Sequence, residues 1–225
     1  YLTRPRSMEA SLEVDISDLI LKALNETDGD ILVFLPGERE INKALAQLKN
    51  QLPKSCVVRP LFSNLPYSRQ KLAISPDPKN RKIILATAIA ETSLTIEGIH
   101  AVVDCGLSRR ARYDPGKGIQ KLVTERASKA EATQRSGRAG RVAPGKCYRM
   151  WALAEEGMMA TFAPPEIDTS DLAPLALQLT KWGTQPEDLA FLTSPPKNSW
   201  APAQDLLDKL GAVTEGKLSS HGAKL

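Results

Sequence analysis

The sequence predicts an α/β fold: a parallel sheet sandwiched by helices, carrying an inserted β-hairpin and followed by a small, mostly α module. Three observations lead there. Short, unbroken apolar runs alternate with segments of helical spacing as far as Val103. After Asp104 the runs give way to two stretches flanking Asp114-Pro115-Gly116-Lys117-Gly118, a loop of hairpin type. From Pro164 onward helical patterns dominate, and the strand signals become very short.

Taken in order, residues 9–24 place Leu12, Ile16, Leu19, Ile20 and Ala23 on one helical face. The turn Asp28-Gly29-Asp30 leads into Ile31-Leu32-Val33-Phe34-Leu35, whose lack of alternation predicts a strand covered on both faces. Pro36-Gly37-Glu38 opens a helix with Ile41, Leu45, Leu48 and Leu52 at helical spacing. Val57, Val58 and Leu61 predict the next strand, and residues 66–74 a short helix. Ile83-Ile84-Leu85-Ala86 and Ala101-Val102-Val103 are two more strands of the buried type. Residues 107–113 and 119–124 form the arms of the hairpin. Ser128 with Glu131 makes a capping box that starts a helix running through Gln134 to Arg138, and residues 145–151 close the sheet.

Beyond Pro164-Pro165 a helix is expected from Asp171 to Trp182, and a second one, capped by Ser199, stops at Gly211. A strand pair near Val213 and Leu218 follows, and a last helix begins at Ser219-Ser220 and is cut off. Helix, helix and short ribbon resemble a winged-helix module. The expected division is therefore residues 1–163 and 164–225, with the chain a fragment of something longer.

Composition narrows the function classes. With 42% hydrophobic and 25% charged residues among 225, a packed core is expected. No run approaches the roughly 20 apolar residues of a membrane span. The first residues lack an apolar core after Arg4 and Arg6, so no secretory signal is read. Three scattered cysteines and two histidines argue against a disulfide framework and a zinc site, and point to a reducing, cytoplasmic setting. The net charge is +4, yet residues 107–149 hold twelve Lys and Arg against Asp114, Glu125 and Glu131. That segment is +9 and the remainder −5, the signature of a polyanion-facing surface.

Three constellations bear chemistry. In Gln134-Arg135-Ser136-Gly137-Arg138-Ala139-Gly140-Arg141, a continuous helix would aim Gln134, Arg138 and Arg141 to one side. Two guanidiniums and an amide converging suit a phosphoryl group whose charge spreads during transfer. Gly137 and Gly140 each cost a helix interior about 1 kcal/mol, so they allow close backbone approach or end the helix. The segment Thr87–Gly98 follows a buried strand, where open α/β sheets bind ligands; Thr87, Ser93 and Thr95 could serve phosphate oxygens and Glu97 a ribose hydroxyl. Finally, the strand 31–35 runs into Pro36-Gly37-Glu38, a helix start able to hold a backbone phosphate.

On these residues the sequence resembles the second RecA-like domain of superfamily 2 helicases of the DEAH/RHA branch. Residues 31–37 resemble motif IV, 87–98 motif V and 134–141 motif VI, and the hairpin at 107–124 occupies the place of that branch's strand-separating hairpin. Val102–Leu107 and Gln134–Trp151 are most similar to the bacterial HrpB type. The resemblance implies an ATP-dependent RNA helicase using ATP with Mg²⁺. Gln134, Arg138 and Arg141 would act on the β- and γ-phosphates and the attacking water, as arginine fingers and their amide partner. Thr95 and Glu97 would lie near the nucleotide, and Ile74 would give apolar contact to the adenine where the family commonly stacks a phenylalanine. Gly37, Thr87 and Ser93 would touch the RNA backbone. Ala88 stands where an asparagine is usual, so the resemblance does not extend to that contact.

Lys117 and Lys121 on the hairpin complete the expected nucleic-acid surface. The sequence has no Gly-x-x-x-x-Gly-Lys-Ser/Thr loop and no acidic magnesium motif. Both belong to a first RecA-like domain, which would be the partner of this one within the same protein and would hold the metal. The fragment alone is expected not to hydrolyse ATP. Single-stranded RNA is the expected ligand, with DNA possible, for a monomeric protein away from membranes. The alternative is a non-catalytic nucleic-acid-binding module with vestigial ATPase motifs; an intact upstream phosphate loop distinguishes the two. A dinucleotide-dependent oxidoreductase is set aside because no Gly-x-Gly-x-x-Gly follows a strand.

Overall fold

A computed structural model describes residues 1–5, 11–91, 94–141 and 144–225. The chain divides into two compact units, the first made of Tyr1–Arg109 with Thr124–Ala163 and the second of Arg110–Val123 with Pro164–Leu225. The distal part of the hairpin thus groups with the C-terminal segment, where the Tyr113 amide donates to the Thr169 carbonyl at 2.7 Å.

In the first unit, α1 (Leu12–Glu26) is followed by β1 (Asp30–Phe34), α2 (Glu38–Leu48), β2 (Cys56–Leu61), α3 (Tyr67–Ile74), β3 (Arg81–Ala86) and β4 (Ile99–Asp104). The hairpin strands β5 (Leu107–Asp114) and β6 (Ile119–Arg126) come next, then α4 (Lys129–Ser136), β7 (Lys146–Arg149) and α5 (Leu153–Gly157). The central sheet has the order β2-β3-β1-β4-β7, with every neighbouring pair parallel. Its strands read as apolar runs because both faces are covered. Ile31, Val33, Ile83, Leu85, Ala101 and Val103 face α1 and α2 through Ile16, Ile20, Ile41 and Leu48. Leu32, Phe34, Ile84, Ala86 and Val102 face the other way, onto Ala73, Ala90 and Ala139. Together these surfaces form the core, and apolar burial of this kind contributes about 25 cal/mol per Å².

The expected capping box is present: the Ser128 hydroxyl accepts from the Glu131 amide, and the Glu131 carboxylate accepts from the Ser128 amide at 2.6 Å. The helix expected to run through Arg138 stops two residues earlier. α4 ends at Ser136, and Arg138 and Ala139 continue in tighter turns, donating to the carbonyls three residues back. Gly137 and Gly140 weaken the helix there. Close packing also requires the turn, since a Cβ on Gly145 would lie 2.2 Å from the Ala139 carbonyl oxygen.

The second unit contains α6 (Ala173–Trp182), α7 (Lys197–Lys209), β8 (Val213–Thr214) and β9 (Lys217–Leu218). Leu172, Ala176, Ala203, Leu207 and Val213 form its core. The helix α7 starts at Lys197, after Pro196 in extended conformation, rather than at the expected cap Ser199, whose amide already donates to the Pro196 carbonyl at 3.0 Å. It stops at Gly211 in the left-handed conformation, as expected. The ribbon closes through Glu215 and Gly216, both at positive φ, a two-residue turn whose twist matches paired strands. The last helical segment is a single turn of 3₁₀ helix, Gly222–Lys224.

Ile83 is fully buried in β3, paired with Ile31 on one side and Val58 on the other. Ile83→Ala should therefore cost about 2–5 kcal/mol in urea denaturation. The exposed Lys54→Ala should stay within about 0.5 kcal/mol. Equal effects for the two would contradict this core.

Candidate functional site

Three groups of residues are positioned by the edges of the sheet and by the segment crossing between them. At the carboxyl edge, β1 and β3 end side by side, the Leu35 amide donating to the Ala86 carbonyl at 2.8 Å. Gly37 follows β1 as the residue preceding α2, in extended conformation, and a side chain there would meet the Arg109 guanidinium at 2.7 Å. Thr87 follows β3 and precedes a 3₁₀ turn, Ala88–Ala90. Half-buried, its amide donates to the Leu61 carbonyl at 3.1 Å. Ser93 lies outside the described residues. Lys117 and Lys121 are exposed on the hairpin in the second unit, Lys117 standing 3.9 Å from Asp114.

The turn after α4 makes a second group. Arg138 is only 7% exposed, and its Nη1 donates to the Leu94 carbonyl at 2.8 Å while Nη2 donates to the Glu91 carbonyl. Its Nε is buried with no partner, and among the described residues no carboxylate is ion-paired to it. Burial, then the neighbouring charge of Arg141, pulls its pKa below the ordinary arginine value. Arg141 is exposed and donates to the Thr95 hydroxyl at 3.3 Å. Both arginines border one small depression lined by Leu94 and Ile96. Gln134 is exposed on α4, where the helix still runs, so the break at Gly137 takes Arg138 out of the predicted helical alignment with it.

The segment 87–98 then descends to the amino edge, where the Asp30 amide donates to the Gly98 carbonyl at 2.8 Å. Glu97 is exposed there on an open pocket of about 360 Å³, lined also by Asp30, Pro76, Asp77, Gly98 and His100. Ile74, at the end of α3, is half-buried and packs against the core face that Ile89 and Ile96 also cover. The structure thus brings Thr95 to Arg141, and sets Glu97 apart from them in a pocket two residues on from Ile74.

The best-connected arginine is one that spacing did not single out. Arg135 is 1% exposed, and all its donors are engaged. Nε and Nη2 lie 2.6 Å from Glu91 Oε1, Nη1 is 3.0 Å from Asp104 Oδ1 and 3.1 Å from the Leu107 carbonyl, and Nη2 donates to the Ser108 hydroxyl at 2.7 Å. Ser108 passes the chain on to Glu131 at 2.8 Å. Arg135 also lies over the Phe34 ring, 5.3 Å from its centroid. Burial disfavours its charge, but Asp104 and Glu91 outweigh burial and hold its pKa above the ordinary arginine value. Burial raises the carboxyls of Glu91 and Asp104, with Arg135 opposing. The signal available in sequence was Asp104, an acid ending an unbroken apolar strand, which demands a buried cation.

The sequence pattern of the "Helicase conserved C-terminal domain" matches residues 14–143. The chain is 42% identical over 204 residues to the ATP-dependent RNA helicase HrpB of Escherichia coli (strain K12), covering 90% of this chain and 25% of that protein. It is also similar to the crystal structure of the E. coli DExH-box NTPase HrpB, with a TM-score of 0.91 and 39% identity over 97% of this chain and 27% of that one. The crystal structure of the Escherichia coli DEAH/RHA helicase HrpB gives a TM-score of 0.93 and 39% identity over 97% and 28% of the two chains. The chain therefore spans about a quarter of the length of these relatives.

Arg135→Met removes the partner of two buried carboxylates and should cost about 3–5 kcal/mol in denaturation at neutral pH. With Arg135 gone, burial acts on Glu91 and Asp104 unopposed and raises both pKa values further. A carboxyl raised in the folded state destabilises it above that pKa and ceases to do so as pH falls through it. The deficit of the variant should thus shrink on mild acidification. A deficit that is small, or that grows with acid, would remove Arg135 from this role.

Proposed function

Because the chain belongs to the helicase conserved C-terminal domain family, we propose that it is the second RecA-like half of an ATP-dependent RNA helicase motor, completed by a preceding domain of the same protein. What carries the reading is the state of Arg138. A guanidinium buried on two neutral carbonyls, with a bare Nε and a second arginine beside it, is a cation poised for an anion that this chain does not supply. A β,γ-phosphate presented by the facing domain meets that requirement, and the charge growing on it during transfer is what such a group stabilises.

In this reading Arg138 and Arg141 are the arginine fingers, and Gln134 on the exposed face of α4 orients the attacking water. Thr95 anchors Arg141 beside the nucleotide, Glu97 takes a ribose hydroxyl, and Ile74 lends apolar contact near the adenine. Gly37, Thr87 and Ser93 follow the RNA backbone, and Lys117 and Lys121 extend the single-strand track. Among the described residues no group of three or more His, Cys, Asp or Glu could hold a metal. The reading assigns the carboxylates for Mg²⁺ to the preceding domain and expects no ATP turnover from this chain by itself. Among the described residues no helix is long and apolar enough to cross a membrane. The reading takes the whole protein to be a monomer working on RNA in the cytoplasm, by its likeness to an RNA helicase.

The test is ATP hydrolysis by the full-length protein, with and without single-stranded RNA, beside this chain alone. RNA-stimulated turnover by the whole and none by the part is expected. In the whole protein Arg138→Ala should lower turnover by about 10³-fold or more while RNA affinity stays within about threefold; undiminished turnover would discard the finger. Replacing Lys117 and Lys121 together by Gln should lower the salt dependence of RNA binding by about 1.4 in log–log slope, at roughly 0.7 per phosphate contact. An unmoved slope would take the hairpin off the RNA.

A further inference from the structure

Lys82 is a lysine with no exposed surface, at the start of β3. Its ammonium has three donors and three acceptors: Asp30 Oδ2 at 3.4 Å, the Ser75 carbonyl at 2.8 Å and the Ala73 carbonyl at 3.1 Å. The last two close α3, so the charge sits at the negative end of that helix. Asp30 is tied twice to the same residue, since its Oδ1 accepts from the Lys82 amide at 2.7 Å. From its own amide, Asp30 reaches the Gly98 carbonyl at 2.8 Å.

This short relay joins two places of interest. On one side it ends in the exit from α3, which carries Ile74 and leads into Pro76 and Asp77. On the other it ends in the turn Glu97-Gly98. Pro76 and Asp77 from one segment and Glu97 and Gly98 from another form two walls of the open pocket of about 360 Å³, which Asp30 lines as well. The two walls come from segments far apart in sequence, and Lys82 with Asp30 spans the gap between them.

We propose that Lys82 and Asp30 are positioning residues that set the spacing of the pocket's two walls, and thereby set how tightly the nucleotide's base and sugar are held. The proposal rests on the assignment of Glu97 and Ile74 to the nucleotide. Lys82 touches no ligand; with its side chain fully covered, it acts through the end of α3. Neutralising it frees two buried carbonyls and one carboxylate at once, and the end of α3 then swings toward water to satisfy them. On the assignment of Glu97 and Ile74 to the nucleotide, both segments bear on one ligand, so a change in their separation falls on binding. The arginines of the turn after α4 are not part of this relay.

The experiment is steady-state ATP hydrolysis by the full-length protein at saturating single-stranded RNA, with KM for ATP and kcat resolved separately. Lys82→Met fills a similar volume without the charge, and Asp30→Asn keeps a side-chain oxygen for the Lys82 amide while weakening the ion pair. Glu97→Gln reports on the pocket directly. Lys82→Met and Asp30→Asn should each raise KM about fivefold or more with kcat within about twofold, as loss of uniform binding does. If Lys82→Met does not fold, Asp30→Asn alone decides by the same criterion. A folded variant with KM unchanged, while Glu97→Gln raises it, overturns the positioning role and leaves the nucleotide assignment standing. If Glu97→Gln also leaves KM unchanged, the pocket is not the nucleotide's and both readings fall together.

Discussion

The first unit is organised around one buried cation. Arg135 gathers Glu91 from the turn after β3, Asp104 from the end of β4, and the Leu107 carbonyl and Ser108 hydroxyl from the base of the hairpin. These elements are separated by up to 44 residues of sequence, and apolar contacts alone would let them slide. A planar fork with five donors does not permit sliding, because each donor has its own direction. Removing any carboxylate leaves charge stranded in the core, so the arrangement is held or lost as a whole.

Arg135 and Arg138 are three residues apart and chemically identical, yet their surroundings are opposite. One faces two carboxylates and a ring; the other faces two peptide carbonyls and a like charge. Glu91 links them, its carboxylate on Arg135 and its carbonyl on Arg138. The saturated arginine thereby fixes the seat of the unsaturated one. A site that is to receive an anion needs both: a charge without a counterion, and a rigid frame that prevents the charge from finding one nearby.

Much of this was legible in the sequence because the cause lay in local pattern. Strands covered on both faces have to be apolar throughout, and Ile31–Leu35 and Ile83–Ala86 say so without help. Ser128 and Glu131 announce a helix start by chemistry that acts over three residues. The end of that helix was less legible. Glycine spacing allowed either a helix carried through Gly137 or a break there, and the choice falls to the close approach of Gly145 to Ala139, which is a tertiary fact. The same break separates Gln134 from Arg138, so the common direction that helical spacing would give these side chains is one the chain does not keep. Arg135 and Lys82 escaped notice for a related reason. Each looks like one more basic residue in a basic or strand-flanking stretch, and only the partners brought by distant segments reveal that they are buried.

The segment from Thr87 to Gly98 carries four of the eleven residues assigned to ligands, and it is fastened near both ends. Glu91 is held by Arg135, while Gly98 is held by Asp30 and, through it, by Lys82. Between these points lie Leu94, whose carbonyl seats Arg138, and Thr95, which meets Arg141. An anion that draws Arg138 away from its carbonyls therefore breaks two hydrogen bonds to the backbone and none of the ion pairs that fasten the segment. Bonds of this kind, from a charged donor, are worth about 1.5–3 kcal/mol each. A phosphate in a water-poor cleft offers a guanidinium more than that. The local cost of moving Arg138 is thus small compared with the cost of moving the frame, so an anion that reached Arg138 could redirect it while the fold around it stays still.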